Sequence, residues 1–275
     1  MHADMHQAVA RQEPKDTVAL LTLDDVGFTY RDGTMAVDSV SLAILPAKVV
    51  SIVGPSGCGK STLLALIAGL VQPSHGLVRR GPQLSAEVRG QRPFTMVFQK
   101  DTLLPWLTVS ANIAFGLRYL AIDDDERRNR TDRLLRLGRL EEFARAYPYQ
   151  LSGGMRRRVA FLTGVAPLPR LLLLDEPFSA LDEPTRVEVH RDVLSIVYEL
   201  GMSVVLVTHD LAEAVSLSDD VHILTRRPAR VAATHTIPFG HTRDVLTVRE
   251  TDAYQELYRG LWAEMRQQII GPAAS

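Results

Sequence analysis

The sequence is poor in cysteine. Its one thiol, Cys58, has no partner within the chain, which excludes an internal disulfide framework and fits a reducing compartment. A strong charge of either sign is also missing. Thirty-one basic residues against 32 acidic ones leave a net charge of −1, so no global basic field points to nucleic acid, and none is expected as a partner. No apolar run reaches the roughly 18 residues of a membrane-spanning helix. The first residues, MHADMHQAVARQEPKD, contain no apolar core of signal-peptide type, and 1–17 reads as a flexible N-terminal tail. Internal repeats and low-complexity stretches are absent. What remains is 46% hydrophobic and 23% charged, an ordinary globular composition. A soluble cytoplasmic chain is expected, one able to dock on a membrane protein.

Short apolar runs alternate with helical patterns. VALLTL (18–23), VVSIV (49–53), TMVFQ (95–99), LLLLD (171–175), SVVLVT (203–208) and VHILT (221–225) are strand-like. STLLALIAGL (61–70), a segment near 183–200 and the amphipathic stretch 252–268 are helix-like. Near-continuous apolar strands separated by helices imply an α/β fold whose parallel strands are covered on both faces. Residues of about 100–165 read as a helical insertion, with the charged run DDDERRNRTDR inside it as a solvated helical face.

GPSGCGKS, residues 54–61, fits G-x-x-x-x-G-K-[ST] between a strand and a helix, the context that supports a phosphate-binding loop. Gly54, Gly57 and Gly59 let the backbone wrap a pyrophosphate, with Pro55, Ser56, Cys58 and Thr62 completing the loop and first turn. The helix beginning near Lys60 adds its positive end. Lys60 reaches the β- and γ-phosphates, and the Ser61 hydroxyl can ligate Mg²⁺. A bulky maleimide on Cys58 inside such a loop is expected to block ATP, and bound MgATP to protect the thiol. In LLLLDEP (171–177), Asp175 ends a buried-type strand, where ligands sit in open α/β sheets. Asp175 is placed to hold the metal, and Glu176 to polarise the attacking water as general base.

A third stretch, LSGGMRRRVAF (151–161), bares the backbone at two glycines and then starts a helix. The phosphate loop, LSGGM, LLLLDEP, SALD (179–182) and VLVTHD (205–210) follow the order and approximate spacing of ABC-type ATPase subunits. The chain resembles that family over about residues 20–230. The resemblance implies a P-loop NTPase core of mainly parallel sheet, an antiparallel β subdomain and an inserted helical subdomain. It implies an ATPase domain over 18–240 and a C-terminal helical extension over 241–275. Tyr30 resembles the aromatic that stacks on adenine, though an ordinary strand aromatic is the alternative. Gln99 resembles the glutamine that joins metal and water to the helical subdomain, or else merely ends a strand. His209 resembles the histidine that contacts the γ-phosphate. ATP and Mg²⁺ are the implied ligands. The resemblance also implies a head-to-tail homodimer in which Ser152, Gly153 and Gly154 face the partner's nucleotide and Asp182 connects the two sites. Such a dimer would power permease subunits on the cytoplasmic face of the inner membrane, supplied by a solute-binding protein outside.

Two departures stand out. Met155 occupies the usual glutamine position after LSGG, which resembles the nitrate, sulfonate and taurine importer branch. Gly164 costs a helix about 1 kcal/mol relative to alanine, and Pro167 is expected to stop that helix. The arginines nearest the two glycines of LSGG either add positive field to an anion site there or are simply solvated, and Arg157 is expected to be solvated. Leu104, Pro105 and Trp106 fall where family subunits meet the permease, with packing inside the helical subdomain as the alternative. Competing readings are a P-loop small-molecule kinase, for which no acceptor site is visible, and a non-transport ABC ATPase, which would carry extra modules. The transported solute is not encoded here.

Overall fold

The computed structural model describes residues 18–86, 88–100, 102–240 and 243–270; the expected tail, 1–17, lies outside them. In chain order, β1 (Leu21–Thr29), β2 (Met35–Ile44) and β3 (Val49–Val53) lead into α1 (Lys60–Ala68), then β4 (His75–Arg80), α2 (Pro82–Ser85) and β5 (Phe94–Val97). The helices α3 (Val109–Phe115), α4 (Asp124–Leu137) and α5 (Gly153–Val165) intervene before β6 (Leu171–Asp175). The rest is α6 (Glu183–Glu199), β7 (Ser203–Thr208), α7 (Leu211–Leu217), β8 (Asp220–Leu224), β9 (Val231–Thr236), α8 (Val245–Arg249) and α9 (Asp252–Ile270).

Two sheets result. A three-stranded antiparallel sheet has the order β2-β1-β4, and a six-stranded sheet has the order β5-β6-β7-β3-β8-β9. Within the larger sheet every pairing is parallel except that of β9 with β8. Strands β3 and β7 are buried at every position, which is why they read as near-continuous apolar runs. By contrast β2, β4 and β9 carry no such run, and the periodicity reading did not mark them. Their burial alternates or fades, as on strands with one wet face.

The helices between β5 and β6 form the inserted subdomain. Helix α4 presents the charged run expected at the surface, with Arg128 paired to Asp125 at 3.7 Å and Arg130 to Glu126 at 2.8 Å. Its inner face buries Thr131, Leu134 and Leu135. Helix α5 ends at Val165, two residues before Pro167, as expected. Gly164 plays a different part from the one expected. A Cβ there would meet Val97 Cγ2 at 2.5 Å, and the Gly164 carbonyl accepts the Thr95 hydroxyl at 2.6 Å. The glycine lets α5 lie close against β5. Buried Asn112 shapes the preceding loop: its amide accepts the Leu104 N–H at 2.8 Å and donates to the carbonyls of Leu104, Leu107 and Thr108. That loop leaves Trp106 69% exposed, so core packing is not its role.

Candidate nucleotide site

The loop between β3 and α1 is built by its glycines. Gly59 caps α1 with φ near 123°, a left-handed backbone that side chains resist. A Cβ there would also strike the Ala36 carbonyl at 2.5 Å. Lys60, only 5% exposed, donates its ammonium to the carbonyls of Gly54 at 2.9 Å and Pro55 at 3.1 Å. A buried cation needs such oxygens, and they hold it at the loop that it would share with a phosphate. The Ser61 hydroxyl donates to Asp175 Oδ1 at 3.2 Å, so the two expected metal ligands already meet. Tyr30 stands beside the loop, half exposed, its hydroxyl 2.7 Å from Thr62 Oγ1 and its ring edge-on to Phe28. Ser56, Gly57, Gly59, Lys60, Ser61 and Thr62 enclose a cavity of about 190 Å³ together with Glu176 and Arg227.

Cys58 corrects one expectation. Its thiol is buried among core residues, where a Cβ on Gly54 would touch its sulfur at 3.0 Å. Burial pushes the thiol pKa up against the pull of Lys60. The side chain therefore faces the core, and only backbone is offered to the loop.

At the carboxyl end of β6, Asp175 is pushed above the usual carboxylate range chiefly by burial, with Glu176 adding to the rise and the Ser61 hydroxyl opposing it. Glu176 itself sits at φ 44°, sparsely populated for a side-chain-bearing residue and frequent at functional sites. Its N–H donates to the Val207 carbonyl at 2.8 Å, pinning it between β6 and β7. Its carboxylate is met from three sides: His209 Nδ1 at 3.1 Å, Gln99 Nε2 at 3.4 Å and Lys60 Nζ at 4.0 Å. Gln99 also donates to Ser179 Oγ at 3.3 Å. Residues from three widely separated segments thus converge on one carboxylate.

Ser152, Gly153, Gly154 and Asp182 do not line this cavity. Ser152 caps α5, accepting the Met155 N–H at 3.2 Å, and Met155 packs against the core. The two glycines differ. A Cβ on Gly154 would strike Thr185 Cγ2 at 2.5 Å, whereas one on Gly153 would meet only Leu181 Cδ2 at 3.9 Å. Gly154 serves packing on α6, and Gly153 offers open backbone. Asp182 caps α6, and the Thr185 hydroxyl and N–H hold its carboxyl below the usual range.

Three arginines near the site make contacts that the sequence does not announce. Arg157, expected in solvent, is buried and donates to the Gln99 carbonyl. Arg186 ties the two loops flanking Glu176, with Nη1 at 2.7 Å from Asp210 Oδ2 and Nη2 at 2.7 Å from the Leu181 carbonyl. Arg227 reaches the Gly57 carbonyl. The contacts to Gln99, Asp210 and Gly57 span 58, 24 and 170 positions, so no local stretch of sequence signals them.

The fold and this cavity together define a nucleotide-binding protein of the phosphate-loop class, with its acidic groups at the strand ends. Residues 37–179 match the ABC transporter family, and the chain belongs to that family. It is 40% identical over 226 residues to the taurine import ATP-binding protein of Rhizobium johnstonii, covering 81% of this chain and 86% of that one. It is 41% identical to the putrescine transport ATP-binding protein of Escherichia coli (strain K12) and 42% identical to the nitrate import ATP-binding protein of Synechococcus elongatus. Those matches cover 81% and 85% of this chain. The chain spans only 60% and 36% of those two relatives' own lengths. Among solved structures, it resembles a bacterial ABC transporter cassette solved as a dimer, with TM-score 0.66 and 32% identity over 79% of this chain and 98% of that one.

Proposed function

We propose that this chain is the ATP-hydrolysing subunit of a membrane importer, working as a head-to-tail dimer coupled to permease subunits. The convergence of Gln99, His209 and Lys60 on the Glu176 carboxylate, beside the Ser61–Asp175 contact, carries the catalytic part. In this reading, residues 54–62 wrap the phosphates of ATP and Tyr30 stacks on adenine. The donor set of Ser61, Asp175 and Gln99 is all oxygen-bearing and suits Mg²⁺. That ion would neutralise charge on the phosphate oxygens. Glu176 takes the proton of the attacking water, and His209 orients the same carboxylate and the γ-phosphate. Ser152, Gly153, Gly154 and Asp182 act on the nucleotide held by the partner.

Exposed Trp106, held out by the Asn112-bonded loop, is the anchor offered to the permease; exposed aromatics of this kind serve as hot spots. Among the described residues no helix is long and apolar enough to cross a membrane. We place the chain at the cytoplasmic face of the inner membrane as a peripheral subunit, with a solute-binding protein acting indirectly. Nitrate, a sulfonate, taurine or a similar small solute is the proposed cargo. The comparable identity to a putrescine transport protein makes solute-stimulated ATPase in the co-purified complex the measurement that decides.

Glu176→Gln preserves shape and removes the base. ATP turnover is expected to fall by at least the ~10²–10⁴-fold typical of lost general-base catalysis, while ATP still binds and the trapped complex elutes as a dimer from a sizing column. Near-normal turnover would end this assignment of Glu176.

A further inference from the structure

The turn joining β8 to β9 brings a second cation to the phosphate loop. Arg227 donates from Nε and Nη2 to the Gly57 carbonyl at 3.2 and 3.0 Å. It lines the same 190 Å³ cavity as Lys60, Ser61 and Glu176, and its side chain is exposed. Its charge also reaches Asp32, whose carboxyl is held low mainly by the Thr34 N–H. Asp32 lies in the turn after Tyr30.

The backbone that carries it is clamped. Thr225 Oγ1 lies within the turn at 2.9 Å from the carbonyls of Arg226 and Pro228, which share its one proton, and accepts the Arg230 N–H at 2.9 Å. The Ala229 N–H donates to the Ala36 carbonyl and the Asp38 N–H to the Ala229 carbonyl, each at 2.9 Å. Arg230 pairs with Asp38. An exposed cation on a rigid turn loses little freedom when it meets a ligand. Bracing Gly57 needs a donor but not a charge, and a guanidinium carries five N–H groups in a fixed fork, more than one carbonyl engages.

We infer that Arg227 is a nucleotide contact of its own chain, a guanidinium engaging the phosphate tail from the β8–β9 turn beside Lys60. This rests on reading residues 54–62 as the ATP site. It adds a cation that the loop motif does not contain, supplied 170 positions away.

The test uses calorimetric titration of the full chain with MgADP, with ATP in EDTA, and with adenosine. Arg227→Gln keeps a donor for the Gly57 carbonyl and removes the charge. Both phosphorylated ligands are expected to bind about ten-fold more weakly or worse, as for a lost charge-assisted hydrogen bond, with adenosine unchanged. Arg227→Lys keeps the charge without the fork and is expected to fall between. Added salt is expected to narrow the gap between the wild type and Arg227→Gln. A thermal melt checks that each variant folds. If Arg227→Gln melts early, Arg227→Met, which is equally neutral and keeps the aliphatic stem, replaces it: wild-type affinity for both phosphorylated ligands in the folded variant overturns the inference. Equal affinity in all three folded chains also overturns it. Lys60→Ala, run in parallel, separates the two levels. Lost binding there with normal binding in Arg227→Gln removes only the arginine, whereas unchanged binding in Lys60→Ala removes the phosphate-loop reading itself.

Discussion

At the residue scale, the site is organised around one carboxylate and one lysine. Glu176 is held in a strained backbone conformation with cationic and donor groups on three sides. A fixed surrounding of this kind requires little rearrangement when charge moves, which is what preorganised catalysis needs. Cys58 shows the opposite case, a residue inside the motif whose side chain faces away from the site. Its thiol is buried and its pKa is raised by that burial. The thiolate is the reacting form, so maleimide labelling at neutral pH is expected to be slow both with and without MgATP. Labelling is expected to accelerate once urea unfolds the chain. Mass spectrometry of timed samples measures this, and rapid labelling of the folded chain that MgATP blocks would place the thiol in the cavity instead.

At the element scale, α5 answers to its neighbours more than to its own propensity. Alanine at 164 would favour the isolated helix by about 1 kcal/mol. In the folded chain the new Cβ would press on Val97 at 2.5 Å, and overpacking of this kind costs ~1–3 kcal/mol. Gly164→Ala is therefore expected to lower the melting temperature, and adding Val97→Ala to recover most of the loss. A stabilised single variant, seen in thermal melts, would mean that α5 does not pack on β5 as described. The same helix carries Arg157 inward to the Gln99 carbonyl, linking α5 to the segment that contacts Glu176.

At the scale of the whole molecule, the open backbone of Gly153 and its absence from the chain's own cavity fit a surface that acts on a partner. Gly153→Asp adds a side chain that the fold can accept and a charge that a γ-phosphate would repel in a poorly hydrated gap. The isolated variant is expected to bind ATP like the wild type and to hydrolyse very little. Mixed with a Lys60→Ala chain, it forms one composite site of an intact loop and an intact serine–glycine turn, and partial turnover is expected there. ATP binding lost by the Gly153→Asp monomer alone would put residues 152–154 in their own pocket and rule out the head-to-tail arrangement.

The parts legible from sequence are those whose contacts are local. Residues 54–61 hold a glycine turn and a helix start directly after the end of β3, all within one contiguous stretch, so spacing alone carries the geometry. Asp175 and Glu176 stand at the end of a buried strand for the same reason, and β3, β6 and β7 are visible because burial on both faces leaves a near-continuous apolar run. Strands β2, β4 and β9 were hidden from periodicity because one wet face or an edge position dilutes the pattern; only the family resemblance implied an antiparallel part. Tertiary structure alone decided that Arg227 meets Gly57, that Arg157 is buried, that Cys58 turns inward and that Gly164 serves a contact. Each of these depends on elements distant in sequence being packed together, and no single stretch of chain specifies what its far neighbour will present.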